Sequence, residues 1–219
     1  MAKLIVLDKN KHQFLRYRPI ERYDFAKSFE LIPITHSELP LLCCDFPIVV
    51  SSTAEGSHLL AIPGINRLGQ SAIKGNGAFA GNYIPAFLRR YPFSLLSSKE
   101  GDAAVVAYES ESGCFDSPSG KPLFDNEGNS TETMQQAIAL LEGVQNEMNV
   151  TASILSLLSD HDILQPARFK VSNQEGEKVY EGFSRISKEK LSEMDDEFIA
   201  GAVRKGWMEM TELQNFSLR

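Results

Sequence analysis

Three times along the chain an apolar run gives way to polar residues, reaches Glu-Gly, and resumes as a second apolar run. The segments start at Pro47, Pro92 and Ala167 and reach Gly56, Gly101 and Gly176, nine residues later each time. β-Branched and apolar residues favour extended strands, and glycine supplies the φ > 0 backbone that a tight reversal needs. Each segment is therefore predicted to form an antiparallel β-hairpin closed at its glycine. Shorter extended stretches are predicted at residues 3–7 and 29–33. A turn is predicted at Asn126-Glu127-Gly128.

Past residue 130 the apolar period becomes three and four. Ser130 and Thr131 can cap a helix over residues 132–148, with Met134, Ile138, Leu141, Val144 and Met148 on one face. Thr151 or Ser153 is predicted to begin a second helix through Ile154, Leu155, Leu157 and Leu158, ending near His161. Ser187 is predicted to begin a third, carrying Leu191, Met194, Phe198 and Val203 and stopped by Gly206. A short helix is predicted at residues 84–90, with Pro85 tolerated in its first turn, and one helical turn within residues 23–29. The glycine-rich stretch 64–81 reads as a mobile loop. Together these elements predict an α+β fold: an antiparallel twisted sheet built from β-hairpins, with helices packed on one side. The chain length of 219 residues is read as a single domain over residues 1–219.

Composition narrows the function classes. Twenty-two basic against 29 acidic residues leave a net charge of −7. That balance argues against nucleic-acid binding, which needs a phosphate-neutralising basic face, and against docking on anionic lipid. No stretch approaches the length of a membrane span. The first apolar run, Leu4 to Leu7, is too short for a secretory leader. Three cysteines, two of them adjacent at Cys43 and Cys44, fit a reducing compartment, and the expected location is cytoplasmic.

The candidate chemistry concentrates in Gly81-Asn82-Tyr83-Ile84-Pro85-Ala86-Phe87-Leu88-Arg89-Arg90-Tyr91-Pro92-Phe93. Adjacent arginines on a helix point about 100° apart, so one can face inward while the other stays wet. They offer a forked clamp for a carboxylate or phosphate; the alternative is a structural pairing with an internal carboxylate or a stack on Tyr83 or Tyr91. At least one of the two is expected to be buried and bonded to a carboxylate, because an unpaired buried cation is costly. The aromatics Phe79, Tyr83, Phe87, Tyr91 and Phe93 read as core, or as a pocket wall for which the arginines are the polar contacts. The expected ligand-binding set is Tyr83, Phe87, Arg89, Arg90 and Tyr91.

Other constellations carry less. Gly75-Asn76-Gly77-Ala78-Phe79-Ala80-Gly81 is one residue too long for a dinucleotide fingerprint, and no parallel βαβ unit surrounds it. His12, His36, His58 and His161 show no ligand spacing, so no metal and no cofactor is expected. Cys43 and Cys44 follow Leu41-Leu42 and read as buried small hydrophobes rather than nucleophiles. No Gly-x-Ser-x-Gly elbow occurs.

The run Gly81-Asn82-Tyr83-Ile84-Pro85 with Leu88-Arg89-Arg90-Tyr91-Pro92-Phe93 resembles the core of the bacterial SapC family. Phe46-Pro47-Ile48-Val49, Pro122-Leu123-Phe124-Asp125 and the closing Gly182-Phe183-Ser184-Arg185-Ile186 resemble further family segments. Gly77-Ala78-Phe79-Ala80-Gly81 and residues 64–74 depart from the family pattern. The resemblance implies an accessory role in a bacterial surface or nutrient-uptake system and carries over no catalytic residue. The expected function is thus a non-catalytic binding or accessory protein with an aromatic and arginine pocket. Its partner would be a protein, or an anionic small molecule or peptide. The alternatives are an enzyme acting on such an anionic molecule and a structural component of a surface layer.

Overall fold

The computed structural model describes residues 3–54, 56–64, 71–97, 104–173 and 176–219. Its strands are β1 (Leu4–Val6), β2 (Arg16–Tyr17), β3 (Ile32–Pro33), β4 (Ile48–Thr53), β5 (Gly56–Ala61), β6 (Phe93–Ser97), β7 (Ala104–Glu109), β8 (Lys121–Pro122), β9 (Leu164–Asn173) and β10 (Gly176–Ile186). Its helices are α1 (Leu39–Leu42), α2 (Ala86–Arg89), α3 (Glu132–Asp160), α4 (Lys188–Ser192), α5 (Asp196–Arg204) and α6 (Trp207–Ser217). Every pairing between these strands is antiparallel, so the fold is α+β. The chain forms two compact units, Met1–Glu21 with Ala86–Asn146, and Arg22–Pro85 with Glu147–Arg219.

The first unit holds a three-stranded sheet ordered β1-β7-β6 and the two-stranded ribbon β2-β8. Strands β6 and β7 pair from Phe93 opposite Tyr108 to Ser97 opposite Ala104. They are the arms of the second predicted hairpin; its glycine, Gly101, lies outside the described residues. Alternation along the strands sends Phe93 and Tyr108 into a core shared with Leu123, Phe124, Met134 and Leu141. Met134 and Leu141 come from α3, seven residues apart on one helical face.

The second unit holds a five-stranded sheet ordered β3-β5-β4-β10-β9. Two of the predicted hairpins build it. Gly56 sits opposite Thr53 with φ +128°, a backbone that L side chains rarely adopt, and Gly176 sits opposite Asn173. Val49, Leu60 and Ile62 are buried with Leu31, Phe169, Tyr180, Phe183 and Leu218 packed against them. Residues 65–70 of the predicted glycine-rich loop lie outside the described residues. The part from 71 onward contains an antiparallel bridge between Ile73 and Phe79, with Ala72 and Ile73 buried.

The helices differ from expectation in three places. The two helices expected on either side of residue 150 are one helix of 29 residues, α3. Thr151 or Ser153 is the residue at which a second helix is expected to begin. Instead Thr151 Oγ donates to the Glu147 carbonyl at 2.7 Å and Ser153 Oγ to the Asn149 carbonyl at 2.9 Å, so both hydroxyls are satisfied within the helix. The helix expected from Ser187 to Gly206 is two, α4 and α5, because the Asp195 side chain accepts from Phe198 N at 2.8 Å and caps a fresh start. The third difference is α6, which the apolar pattern did not announce. Gly206 ends one helix and opens the next, with φ +73°. The inward positions of α6 are Trp207, Met210, Thr211, Gln214 and Ser217, three of them polar.

Those polar positions have partners. Gln214 is fully buried; its Nε2 donates to the Ile48 carbonyl at 2.8 Å and its Oε1 accepts from Ile186 N at 3.2 Å. Ser217 Oγ accepts from Ile48 N at 2.9 Å. Gln214 thus joins α6 to β4 and β10. Gln214→Leu would strand a carbonyl and an amide, and a loss of about 1–3 kcal/mol is expected in urea unfolding. A variant as stable as the parent would show that water replaces both bonds.

Near the start of the second unit, Asp24 accepts from Arg22 Nε at 2.7 Å and pairs with Lys27 Nζ at 2.6 Å. Hydrogen bonds from Arg22 and then Lys27 bring its carboxyl down to about 2. A carboxyl depressed on folding adds stability that is complete above its unfolded value and disappears as pH falls through the folded one. Asp24→Asn should therefore be less stable than the parent at neutral pH, and the two should converge as pH drops from about 4 towards about 2. Thermal melts at both ends of that range check this; an equal gap at both would assign the loss to something other than ionisation.

Candidate functional site

In the first unit, a four-residue helix sets the geometry. In α2 the fully buried Leu88 anchors the helix to the interior and Ala86 is buried beside it. The turn closes with Arg90 N donating to the Ala86 carbonyl at 3.1 Å and Tyr91 N to that of Leu88 at 3.2 Å. Pro92 ends it, since the residue before a proline is pushed out of the helical region. Arg90 follows Phe87 by three positions and so shares its face. Its guanidinium carbon lies 4.3 Å from the centre of the Phe87 ring. Arg89, one position earlier, is exposed.

Both arginines line a cavity of about 240 Å³. Its other walls come from three directions in the same unit. Tyr17 and Lys121 face each other across the β2–β8 ribbon, with Pro19 just beyond. Phe93 opens β6, its ring centre 4.9 Å from that of Tyr17 in an edge-on pair. Thr133, Gln136, Ala137 and Leu140 come from the first three turns of α3, at the spacing that makes one helical stripe. Among the described residues, the charged side chains of this lining are Arg89, Arg90 and Lys121, and none is Asp or Glu.

The electrostatics separate this cavity from ordinary basic surface. Arg90 is half-buried, and burial lowers its tendency to hold a proton. Neither Arg90 nor Lys121 has a carboxylate partner among the described residues. A second basic cavity, of about 430 Å³ in the other unit, gives the contrast. There Arg185 bonds Asn215 at 3.1 Å and Glu189 at 3.4 Å, Lys188 pairs with Glu212 at 2.5 Å, and Arg168 lies 3.7 Å from Glu181. Those cations are neutralised by the protein itself.

The five expected site residues fare differently. Arg89 and Arg90 share the cavity. Phe87 supports Arg90 from behind without lining it. Tyr91 is half-buried outside the lining, and its hydroxyl is pushed up first by burial and then by the nearby Cys114 and Glu109. Tyr83 belongs to the other unit. The expectation that one arginine is buried against a carboxylate is corrected. Arg89 is exposed, while Arg90 is half-buried and meets an aromatic face instead of an acid, which a cation tolerates when one side stays open to water. Cys44 is also corrected: it is exposed, whereas Cys43 and Cys114 are buried. Tyr17, Lys121, Thr133 and Gln136 were not foreseen. Tyr17 and Lys121 lie 104 residues apart, and only the register of a two-residue ribbon brings them together.

Glu109 is a further polar group in this unit without a full set of partners among the described residues. It is buried; Oε1 accepts from Lys3 N at 2.7 Å and Glu111 N at 3.3 Å, and Oε2 has no hydrogen bond among the described residues. No group of three or more His, Cys, Asp or Glu side chains that could hold a metal occurs among the described residues. No helix among them is long and apolar enough to cross a membrane.

These observations define an α+β protein whose first unit carries a cationic cavity with an aromatic and aliphatic wall. The SapC family model matches residues 7–219, nearly the whole chain and both units, so the chain belongs to the SapC family. No curated protein and no solved structure matches it.

Proposed function

We propose that this SapC-family chain is a non-catalytic, cytoplasmic binding or accessory protein of a bacterial surface or nutrient-uptake system. Its ligand is an anion with an apolar part, a small molecule or the end of a peptide, held in the cavity of the first unit. The observation that carries this reading is Arg90: a half-buried cation, set on Phe87, facing a cavity whose lining contains no acid among the described residues. Holding a cation partly out of water without a countercharge costs free energy, and an incoming anion recovers it through charge-assisted bonds. The family's name and the resemblance of the Tyr83–Phe93 run support the surface or uptake setting. Of the expected residues, Arg89 and Arg90 make the polar contacts, Phe87 braces Arg90, and Tyr83 and Tyr91 belong to the surroundings of that motif.

Native mass spectrometry of the purified protein tests the reading. An anionic species is expected to co-purify with the parent and to be lost from Arg90→Met. A ligand of neutral charge, or one retained equally by both proteins, would overturn it.

A further inference from the structure

Resting on that reading, we propose that the ligand is a small monocarboxylic acid built on one aromatic ring. The carboxylate follows from Arg90. Arg89 has an interaction of its own within the chain and Lys121 is exposed, so Arg90 is the lining cation that the fold holds partly out of water. Its guanidinium carbon lies 4.3 Å from the centre of the Phe87 ring, which occupies one side of the group and leaves the N–H fork to the others. A single fork donates two parallel bonds to the two oxygens of a carboxylate, which lie in one plane with it. A phosphomonoester spreads three oxygens over a tetrahedron and calls for donors from several directions. Thr133 adds a hydroxyl in the first turn of α3, where the helix dipole is positive, and can donate to the same carboxylate.

The body follows from volume and wall chemistry. The cavity, about 240 Å³, lies below the roughly 300–1,000 Å³ of pockets that enclose drug-sized ligands. It equals about eight water volumes, room for one ring and its carboxylate. That is too little for a nucleotide, or for the end of a peptide, which carries an amide besides its side chain and carboxylate. The rings of Tyr17 and Phe93 pair edge-on with centres 4.9 Å apart. Aromatic rings favour edge-on and offset contacts with one another, so this pair favours a third ring over an aliphatic body. Pro19, Ala137 and Leu140 supply the rest of the apolar wall.

Calorimetric titration of the full chain with benzoate, cyclohexanecarboxylate, phenyl phosphate, N-acetylphenylalanine and benzyl alcohol decides the matter. Benzoate is expected to bind most tightly, severalfold ahead of cyclohexanecarboxylate and at least about tenfold ahead of the rest. Leu140→Trp adds a ring to the α3 wall and should weaken benzoate at least about tenfold. Should that variant fold poorly, the probe series on the parent decides alone. Phenyl phosphate as tight as benzoate would overturn the carboxylate and leave the anion reading standing. N-acetylphenylalanine as tight would overturn the size limit and point to the end of a peptide. Cyclohexanecarboxylate as tight would overturn the aromatic ring, and a folded Leu140→Trp that binds benzoate like the parent would overturn its place in this cavity. Benzyl alcohol equal to benzoate, or no binding by any probe, would overturn both this proposal and the function on which it rests.

Discussion

Arg90→Met will leave the melting temperature unchanged or raise it, while weakening an anionic ligand by about ten- to a hundredfold. The two halves of this result have one cause. Arg90 has no carboxylate partner among the described residues, so removing its charge strands no buried acid. Methionine keeps an unbranched apolar stem against the Phe87 ring, over which the guanidinium now lies at 4.3 Å. The partial desolvation of the charge disappears with it. Hydrogen bonds to a charged group contribute about 1.5–3 kcal/mol, which sets the expected loss of affinity. Circular-dichroism melting and ligand titration of the same variant read both halves. A variant that melts well below the parent and binds normally would assign Arg90 a structural role instead.

Leu88→Ala should be the opposite kind of change. Leu88 is fully buried and is the residue that seats α2, with Arg89 and Arg90 directly after it. Truncating a buried leucine costs about 2–5 kcal/mol through lost transfer energy and the cavity left behind. Both stability and affinity should fall, because the two guanidinium groups lose their fixed origin. Urea unfolding with a ligand titration on the surviving folded fraction checks this. Full affinity at unchanged stability would mean that α2 does not position the site.

What the sequence revealed and what it hid follow from range. The hairpin at Gly56 was legible because strand, turn and strand lie within 14 residues, and the turn requires a backbone that glycine supplies. The first half of α3 was legible because Met134 and Leu141 repeat on one face. Its continuation past Val150 was not, because the bonds that absorb Thr151 and Ser153 are made only once the helix exists. The helix α6 escaped because its inward face carries Thr211, Gln214 and Ser217, and the partners of Gln214 and Ser217, at Ile48 and Ile186, are remote in sequence.

The site divides in the same way. Two adjacent arginines among aromatics drew attention to α2, because α2 and its flanks form one continuous segment. The cavity wall opposite them did not show, because Lys121 and Tyr17 meet by strand register and Thr133 and Gln136 arrive on a helix more than 40 residues further on. The absence of an acid opposite Arg90 among the described residues belongs to no short motif at all. It is a property of the assembled lining.

Nuclear magnetic resonance of the arginine Nε–Hε groups during titration with benzoate locates the anion directly. The Arg90 signal should move saturably, with that of Arg89, while those of Arg168 and Arg185 in the other basic cavity stay in place. Movement confined to Arg168 and Arg185, or an Arg90 signal unchanged at saturating ligand, would contradict the assignment of the first unit's cavity as the binding site.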